Sequence, residues 1–161
     1  MGAGATPAVT ALVKAGVTHT VHTYKHDPSG AAYGLEAAEA MGVAPDVVFK
    51  TLVIELSTGR LAVAVVPVSA SLSLRNAAAA LGVPKAAMAD PAKVQRSTGY
   101  VLGGISPLGQ KKPLPTVVDS SATAHERIFC SAGKRGMEIE LAPADLVRLT
   151  GAVVAEVAQG G

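Results

Sequence analysis

The sequence predicts an α/β (α+β) protein: a single compact domain, residues 1–161, in which a mixed, β-barrel-like sheet is flanked by short helices. Three observations predict it. Segments with strand and helix patterning interleave irregularly, without the strict alternation of a doubly wound parallel sheet. Several connections are short and hairpin-like, which suits antiparallel neighbours. Hydrophobic residues make up 49% of the chain and charged ones 16%, enough for a core and unlike a disordered chain. Ala, Val and Leu must fill that core, because Trp is absent and aromatics are only 3%.

The elements follow in order. Thr6 and Pro7 read as an N-cap and first helical position, and Gly16 as the stop of a short amphipathic helix. "VTHTVHTY", Val17 to Tyr24, alternates and is rich in β-branched residues, so it reads as a strand. Pro28, Ser29 and Gly30 break the chain before a second helix, "GLEAAEAMG", that stops at Gly42. "APDVVF" reads as a single helical turn. "KTLVIEL" and "RLAVAVVPV" read as two strands joined at Ser57, Thr58 and Gly59. "LSLRNAAAALG" is a helix ending at Gly82, and "DPAKVQRSTG" repeats the cap-plus-proline signature. "GGISPLGQKKPLP", with three glycines and three prolines, reads as a long shaped loop. "TVVDS", "RIFCS" and "MEIEL" are short strands, "APADLVRLTG" a capped helix and "AVVAEV" a last strand. No repeat, low-complexity tract or interdomain linker stands out.

Composition narrows the function. A net charge of +2 and a pI near 8.8 permit contact with nucleic acid without demanding it, since phosphate binding wants concentrated cations. The one cysteine, Cys130, excludes an intramolecular disulfide framework and fits a reducing compartment. The start "MGAGATPAVTALVKAG" lacks the basic region and apolar run of a signal peptide, and no run is long enough to span a bilayer. The expectation is a soluble cytoplasmic domain with no membrane partner.

Candidate chemistry begins with Lys50, set among apolar residues at a strand start. A lysine there ordinarily packs its stem and sends its head to water. The functional alternative is an ammonium at a pocket floor that clamps an anion or stabilises an oxyanion, with the Thr51 hydroxyl beside it. The Gly103–Gly109 stretch is either a surface loop or a rigid wall of backbone donors and acceptors, with Pro107 fixing its exit. It is not a phosphate loop, because Gln110 stands where that motif needs lysine. "SAGKRG" is a solvated basic turn or one that meets a phosphodiester backbone, and its Ser-x-x-Lys spacing lacks the helical context of penicillin-binding enzymes. His19, His22 and His26 do not make a metal site: two of them, three apart on a strand, face opposite sides, and carboxylates do not cluster near them. Cys130 in a strand reads as core. No metal or cofactor is expected.

Taken together, "FKTLV", "LAVAVVPV", "ALG", "MADPAKVQRSTGYVLGGISPLGQKKPLPTVVD" and "SAGKRGMEIELAPADLVRLT" closely resemble the YbaK family of Cys-tRNA(Pro) deacylases. That family lies in the superfamily that includes the editing domain of bacterial prolyl-tRNA synthetase. The resemblance runs from about Pro7 to the last strand. It implies the YbaK/aminoacyl-tRNA-synthetase-associated domain fold, free-standing and acting in trans. The family's essential lysine falls on Lys50, its Gly-x-x-Pro loop on Gly104, Ile105, Ser106 and Pro107, its pocket tyrosine on Tyr24, and the opening of its Ser-x-Gly-Lys-Arg-Gly turn on Ser131 and Gly133. Its acidic residue falls on Glu138, where the family pattern carries aspartate.

The implied partner is the 3′ acceptor end of aminoacyl-tRNA, with prolyl-tRNA synthetase as recruiter. The implied activity is removal of cysteine from Cys-tRNA(Pro), and from Cys-tRNA(Cys), by the substrate's own thiol. Lys50 and backbone N–H groups of the Gly104 loop would stabilise the oxyanion, while Tyr24, Ser131 and Glu138 position the cysteine or the ribose. The alternatives are a sibling Ala-tRNA(Pro) deacylase using water, or a non-catalytic module that binds aminoacyl-tRNA.

Overall fold

The computed structural model describes residues 6–25 and 33–160, with side chains of residues 33 and 34 outside the description. His26 and the break at Pro28 to Gly30 lie outside the described residues. The first helix, α1 (Pro7–Ala15), is capped by Thr6, whose hydroxyl accepts the Val9 N–H at 3.2 Å. The same hydroxyl donates to the Ala132 carbonyl at 2.6 Å and so fastens the helix start to a distant strand. Ala8 and Leu12, four apart, are the buried face of α1.

The strand and helix that follow are β1 (His19–Thr23) and α2 (Tyr33–Met41), and Pro45–Val47 form the expected single turn, here of 3-10 type. The hairpin β2 (Phe49–Leu56) and β3 (Leu61–Pro67) is antiparallel, in a register that pairs Lys50 with Val66 and Glu55 with Leu61. Next come β4 (Ser71–Leu72), α3 (Leu74–Ala80), β5 (Ala86–Met88) and α4 (Pro91–Thr98). The chain continues through the long loop to β6 (Thr116–Asp119), a 3-10 segment (Ser120–Ala124), β7 (Ile128–Lys134) and β8 (Met137–Leu141). It ends with α5 (Pro143–Thr150), β9 (Val153–Ala155) and β10 (Ala158–Gln159).

These strands form open sheets rather than a closed barrel. A five-stranded mixed sheet has the order β5-β2-β3-β6-β9, antiparallel on one side and parallel on the β3-β6-β9 side. A three-stranded antiparallel sheet has the order β1-β8-β7, and β10 pairs with β4 as a two-stranded ribbon. Between the two larger sheets lies the main core. Phe49, Val53, Val63, Val65 and Val118 meet Ile128, Cys130, Ala132, Met137, Ile139 and Leu141. A second cluster fills the opposite face of the large sheet, where Ile54, Leu56, Ala64 and Val66 pack on Ala77 of α3. β3 is therefore covered on both faces, which explains its unbroken apolar run.

Asp119 clasps the C-terminal strands. Its buried carboxylate accepts the N–H groups of Val157 at 2.9 Å, Ala158 at 2.8 Å and Ser121 at 3.1 Å, together with the Ser121 hydroxyl. Burial pushes this carboxyl up, but the Ser121 hydroxyl and the three N–H groups more than offset that and hold it below its ordinary range.

Candidate active site

β5 pairs with β2 only at Ile54–Leu56, and β7 touches the other end through a parallel bridge from Phe129 to Val48. Among the described residues no strand pairs with the intervening edge of β2. On the β3 side, Val68 N–H bonds the Val48 carbonyl and Leu56 N–H bonds the Arg60 carbonyl, so the even-numbered residues of β2 serve that ladder. The odd-numbered ones serve the other edge: the Val53 carbonyl accepts from Ala89 N–H at 3.1 Å, and Thr51 is directed to the gap.

A cleft of about 470 Å³ opens at this gap. Lys50 and Thr51, which alternate across the strand, both line it, so the cleft wraps around the strand edge. Its polar lining is completed by Tyr24, Ser131 and Glu138, and its loop wall by Leu102, Gly103 and Ile105. Leu35 of α2 and Leu102 flank it as exposed hydrophobic side chains.

Why these side chains converge follows from the pairing. Glu138 of β8 lies opposite Ser131 of β7 and opposite His22 of β1, so all three occupy one face of the small sheet. That face is turned away from the core, because Ile139 and Cys130 on the alternate positions are buried in it. Tyr24 continues β1 and is held by its N–H on the Gly136 carbonyl at 2.9 Å. The β7–β8 register shifts between Ser131 and Lys134, so the glycine-rich "SAGKRG" is mostly strand and irregularity, with the turn itself at Arg135 and Gly136.

The electrostatics are those of a partly dried pocket. Burial lowers the Lys50 pKa, and among the described residues its ammonium has neither an ion pair nor a hydrogen bond. The Thr51 hydroxyl oxygen is buried and also without a partner. Glu138 is 8% exposed, and burial pushes its carboxyl up to about 8, so near neutral pH it is largely an O–H donor. Burial, then the Glu138 charge, raises the Tyr24 phenol. Lys50, Thr51 and Glu138 are thus short of partners among the described residues and placed to meet a polar ligand.

Seven of the residues singled out from sequence thus share one cleft: Tyr24, Lys50, Thr51, Gly103, Ile105, Ser131 and Glu138. The other four lie behind it. Gly104 presses on the β7–β8 turn, where an added Cβ would sit 2.9 Å from the Lys134 Cα. Its N–H donates to the Val101 carbonyl at 3.0 Å and is thereby committed within the loop. Ser106 is wholly buried, its hydroxyl accepting the Leu108 N–H at 3.2 Å. Pro107 lines a separate small pocket of about 180 Å³ beside α1 and α5. Gly133, at φ +105°, packs under the Tyr100 ring, where a Cβ would lie 2.6 Å from the ring. Sequence reasoning did not single out Leu35, Val48, Phe49, Leu52, Val68 and Leu102 of the lining, because apolar side chains carry no chemistry that distinguishes a cleft wall from a core.

Cys130 is fully buried and outside the lining, and burial, with the Glu138 charge added, pushes its thiol well up. His19 Nδ1 contacts the Val17 carbonyl at 2.7 Å, and His22 Nε2 contacts Glu140 at 2.8 Å, so both are engaged locally. Among the described residues no three His, Cys, Asp or Glu side chains cluster as a metal site, and no helix is long and apolar enough to cross a membrane.

The chain is 41% identical over 120 residues, 74% of its length and 73% of the relative's, to a protein of Enterococcus faecalis named "Putative Cys-tRNA(Pro)/Cys-tRNA(Cys) deacylase EbsC". It is 28% identical over 111 residues, 69% of its length and 70% of the relative's, to the uncharacterised protein YwhH of Bacillus subtilis. A solved structure described as "Crystal structure of a putative trans-editing enzyme for prolyl tRNA synthetase" superposes with a TM-score of 0.83 at 26% identity, covering 99% of both chains. The family model described as the aminoacyl-tRNA editing domain matches residues 28–149, and with most of its length so matched the chain belongs to the aminoacyl-tRNA editing domain family.

Proposed function

We propose that residues 1–161 act as a single, trans-acting editing domain that removes cysteine from Cys-tRNA(Pro), and also from Cys-tRNA(Cys), in the cytoplasm. The observation that carries this reading is a cleft whose described lining holds an unpaired ammonium and an orphaned hydroxyl but no cysteine, and no histidine to activate its hydroxyls. The Enterococcus faecalis relative carries Cys-tRNA(Pro)/Cys-tRNA(Cys) deacylase in its name, and the solved structure is named for trans-editing for prolyl tRNA synthetase, which supports the reading.

In this reading the substrate's cysteine thiol supplies the nucleophile. Its sulfur bonds the ester carbonyl carbon, the bond from that carbon to the ribose oxygen breaks, and the thiol proton ends on the ribose hydroxyl. The products are free tRNA and a thiolactone, which water opens to cysteine. The protein supplies orientation and stabilises the tetrahedral oxyanion. Lys50 does the second, with the N–H groups of Gly103 and Ile105; these two line the cleft and have no acceptor among the described residues. Gly104 N–H is already engaged, so it holds the loop rather than the oxyanion. Tyr24, Thr51, Ser131 and Glu138 hold the amine, thiol or terminal ribose.

Selectivity follows from the same scheme. A pocket separates substrates one small group apart by only about 1–3 kcal/mol, whereas alanine has no nucleophile and serine a weak one. The choice among tRNAs falls to recruitment by prolyl-tRNA synthetase. The test is purified protein against Cys-, Ala-, Ser- and Pro-tRNA(Pro), with thiolactone trapping. Turnover of the cysteine ester alone, with a trapped thiolactone, is the expected result. Turnover of Ala-tRNA(Pro) would replace it with the water-using sibling, and protection without turnover with a binding module.

A further inference from the structure

We propose that Arg96, Lys111 and Lys112 form a phosphate track beside the cleft, on which the single-stranded 3′ end of the RNA lies while its acylated terminus occupies the pocket. This rests on the deacylase reading above and adds the surface that receives the rest of the ligand.

Two segments distant in sequence build the track. Arg96 is in the last turn of α4, and the loop returns so that Lys111 N–H bonds the Thr98 carbonyl at 3.0 Å and Lys112 N–H bonds the Ser97 carbonyl at 3.2 Å. Both lysines are thereby fixed against the end of that helix. All three side chains are exposed, and none has a carboxylate partner among the described residues. Lys93, Arg127 and Arg148 pair with Glu55, Glu140 and Asp145, whereas Lys14, Arg60, Arg75 and Lys85 are exposed and also without a carboxylate partner among the described residues, so it is the grouping at one helix end that marks the three.

Position makes the cluster useful. Gly99 lies against Lys111, where an added Cβ would be 3.6 Å from the lysine Cβ. Leu102 on the cleft wall is three residues further on, a chain distance of at most about 11 Å. The Lys111 end of the cluster therefore starts within about two nucleotide lengths of the cleft wall. Three phosphates neutralised on a single strand give a salt slope of about −2. The competing explanation is local: cations at a helix C-terminus favour its dipole and need no RNA.

The experiment separates the two. Binding of an uncharged acceptor-stem minihelix with a 3′-CCA end is measured against salt for the wild type and for the triple variant Arg96→Gln, Lys111→Gln, Lys112→Gln. A charge-retaining Lys111→Arg, Lys112→Arg variant and Arg75→Gln, on the opposite face of the large sheet, are controls. The expected result is a slope shallower by about 2 in the triple variant only. With cysteinylated minihelix, KM rises about tenfold or more while kcat holds. An unchanged slope and KM, or a lowered Tm with unchanged binding, overturns the proposal in favour of the helix-end role. Because the binding arm uses uncharged RNA, a track that binds alongside an enzyme that turns over nothing would sink only the deacylase reading.

Discussion

Lys50 and Glu138 line the same cleft without forming an ion pair. Burial alone shifts each of them, Lys50 down and Glu138 up, with no opposite charge offsetting either shift. One group enters the site as a lone cation and the other as a largely neutral acid, and the expectations below follow from that division.

Lys50→Ala removes the only cation in the cleft lining among the described residues. The rate of Cys-tRNA(Pro) deacylation is expected to fall by about 10²–10³, the usual loss for one oxyanion donor. Circular dichroism and Tm should stay at wild-type values, since the ammonium satisfies no buried partner. Unchanged single-turnover kinetics would remove Lys50 from the mechanism.

Cys130→Ala should leave deacylation essentially intact. The thiol is buried between the sheets, so the substitution costs about 1 kcal/mol of stability, readable by denaturant titration. Loss of turnover in the folded variant would refute the substrate-thiol scheme.

Glu138 makes stability depend on pH. Its folded pKa, about 8, lies above the ordinary value of 4.5, so the unfolded chain loses this proton first. Its contribution is full below about pH 4.5 and is lost progressively as pH rises to about 8. Glu138→Gln should flatten that decline, and the variant should be the more stable protein at pH 8 in urea titrations. Parallel curves for the two proteins would show that the carboxyl ionises normally in the fold.

Asp119 behaves in the opposite sense. Its pKa is lowered, so its contribution is present above the ordinary carboxylate range and fades as pH falls through the lowered value. Asp119→Ala strands the N–H groups of Val157 and Ala158 and is expected to cost about 2–4 kcal/mol. Hydrogen exchange should show the C-terminal strands opening first.

Gly104→Ala places a methyl against the Lys134 backbone and must lift the loop off the β7–β8 turn. The Gly103 and Ile105 N–H groups move with it. A displacement near 1 Å costs about 10²-fold in rate, so kcat should fall far more than stability does.

Much of this was legible in the sequence. Caps and prolines marked α1, α4 and α5, and β-branched runs marked β2, β3 and β6, because those signals are local. β4, β5 and β10, of two or three residues each, were not legible: they exist only because a neighbouring strand accepts them. "SAGKRG" misled in a similar way, since pairing with β8 keeps a glycine-rich stretch extended. Within the site, charged and hydroxylic residues were readable one by one. That Ser106 and Pro107 lie behind the cleft was not, because the direction in which a loop presents its side chains is decided by what packs behind it.

Thr6 and Gly109 give α1 a weight that its place outside the matched residues 28–149 would not suggest. Thr6 holds the strand that carries Ser131, and Gly109 rests on the backbone of Pro7 and Ala8 with no room for a side chain. A fragment trimmed to the matched boundaries would lose the buttress behind both the serine-bearing strand and the glycine-proline wall. Anyone shortening this protein for crystallisation or for fusion to a synthetase should keep the helix.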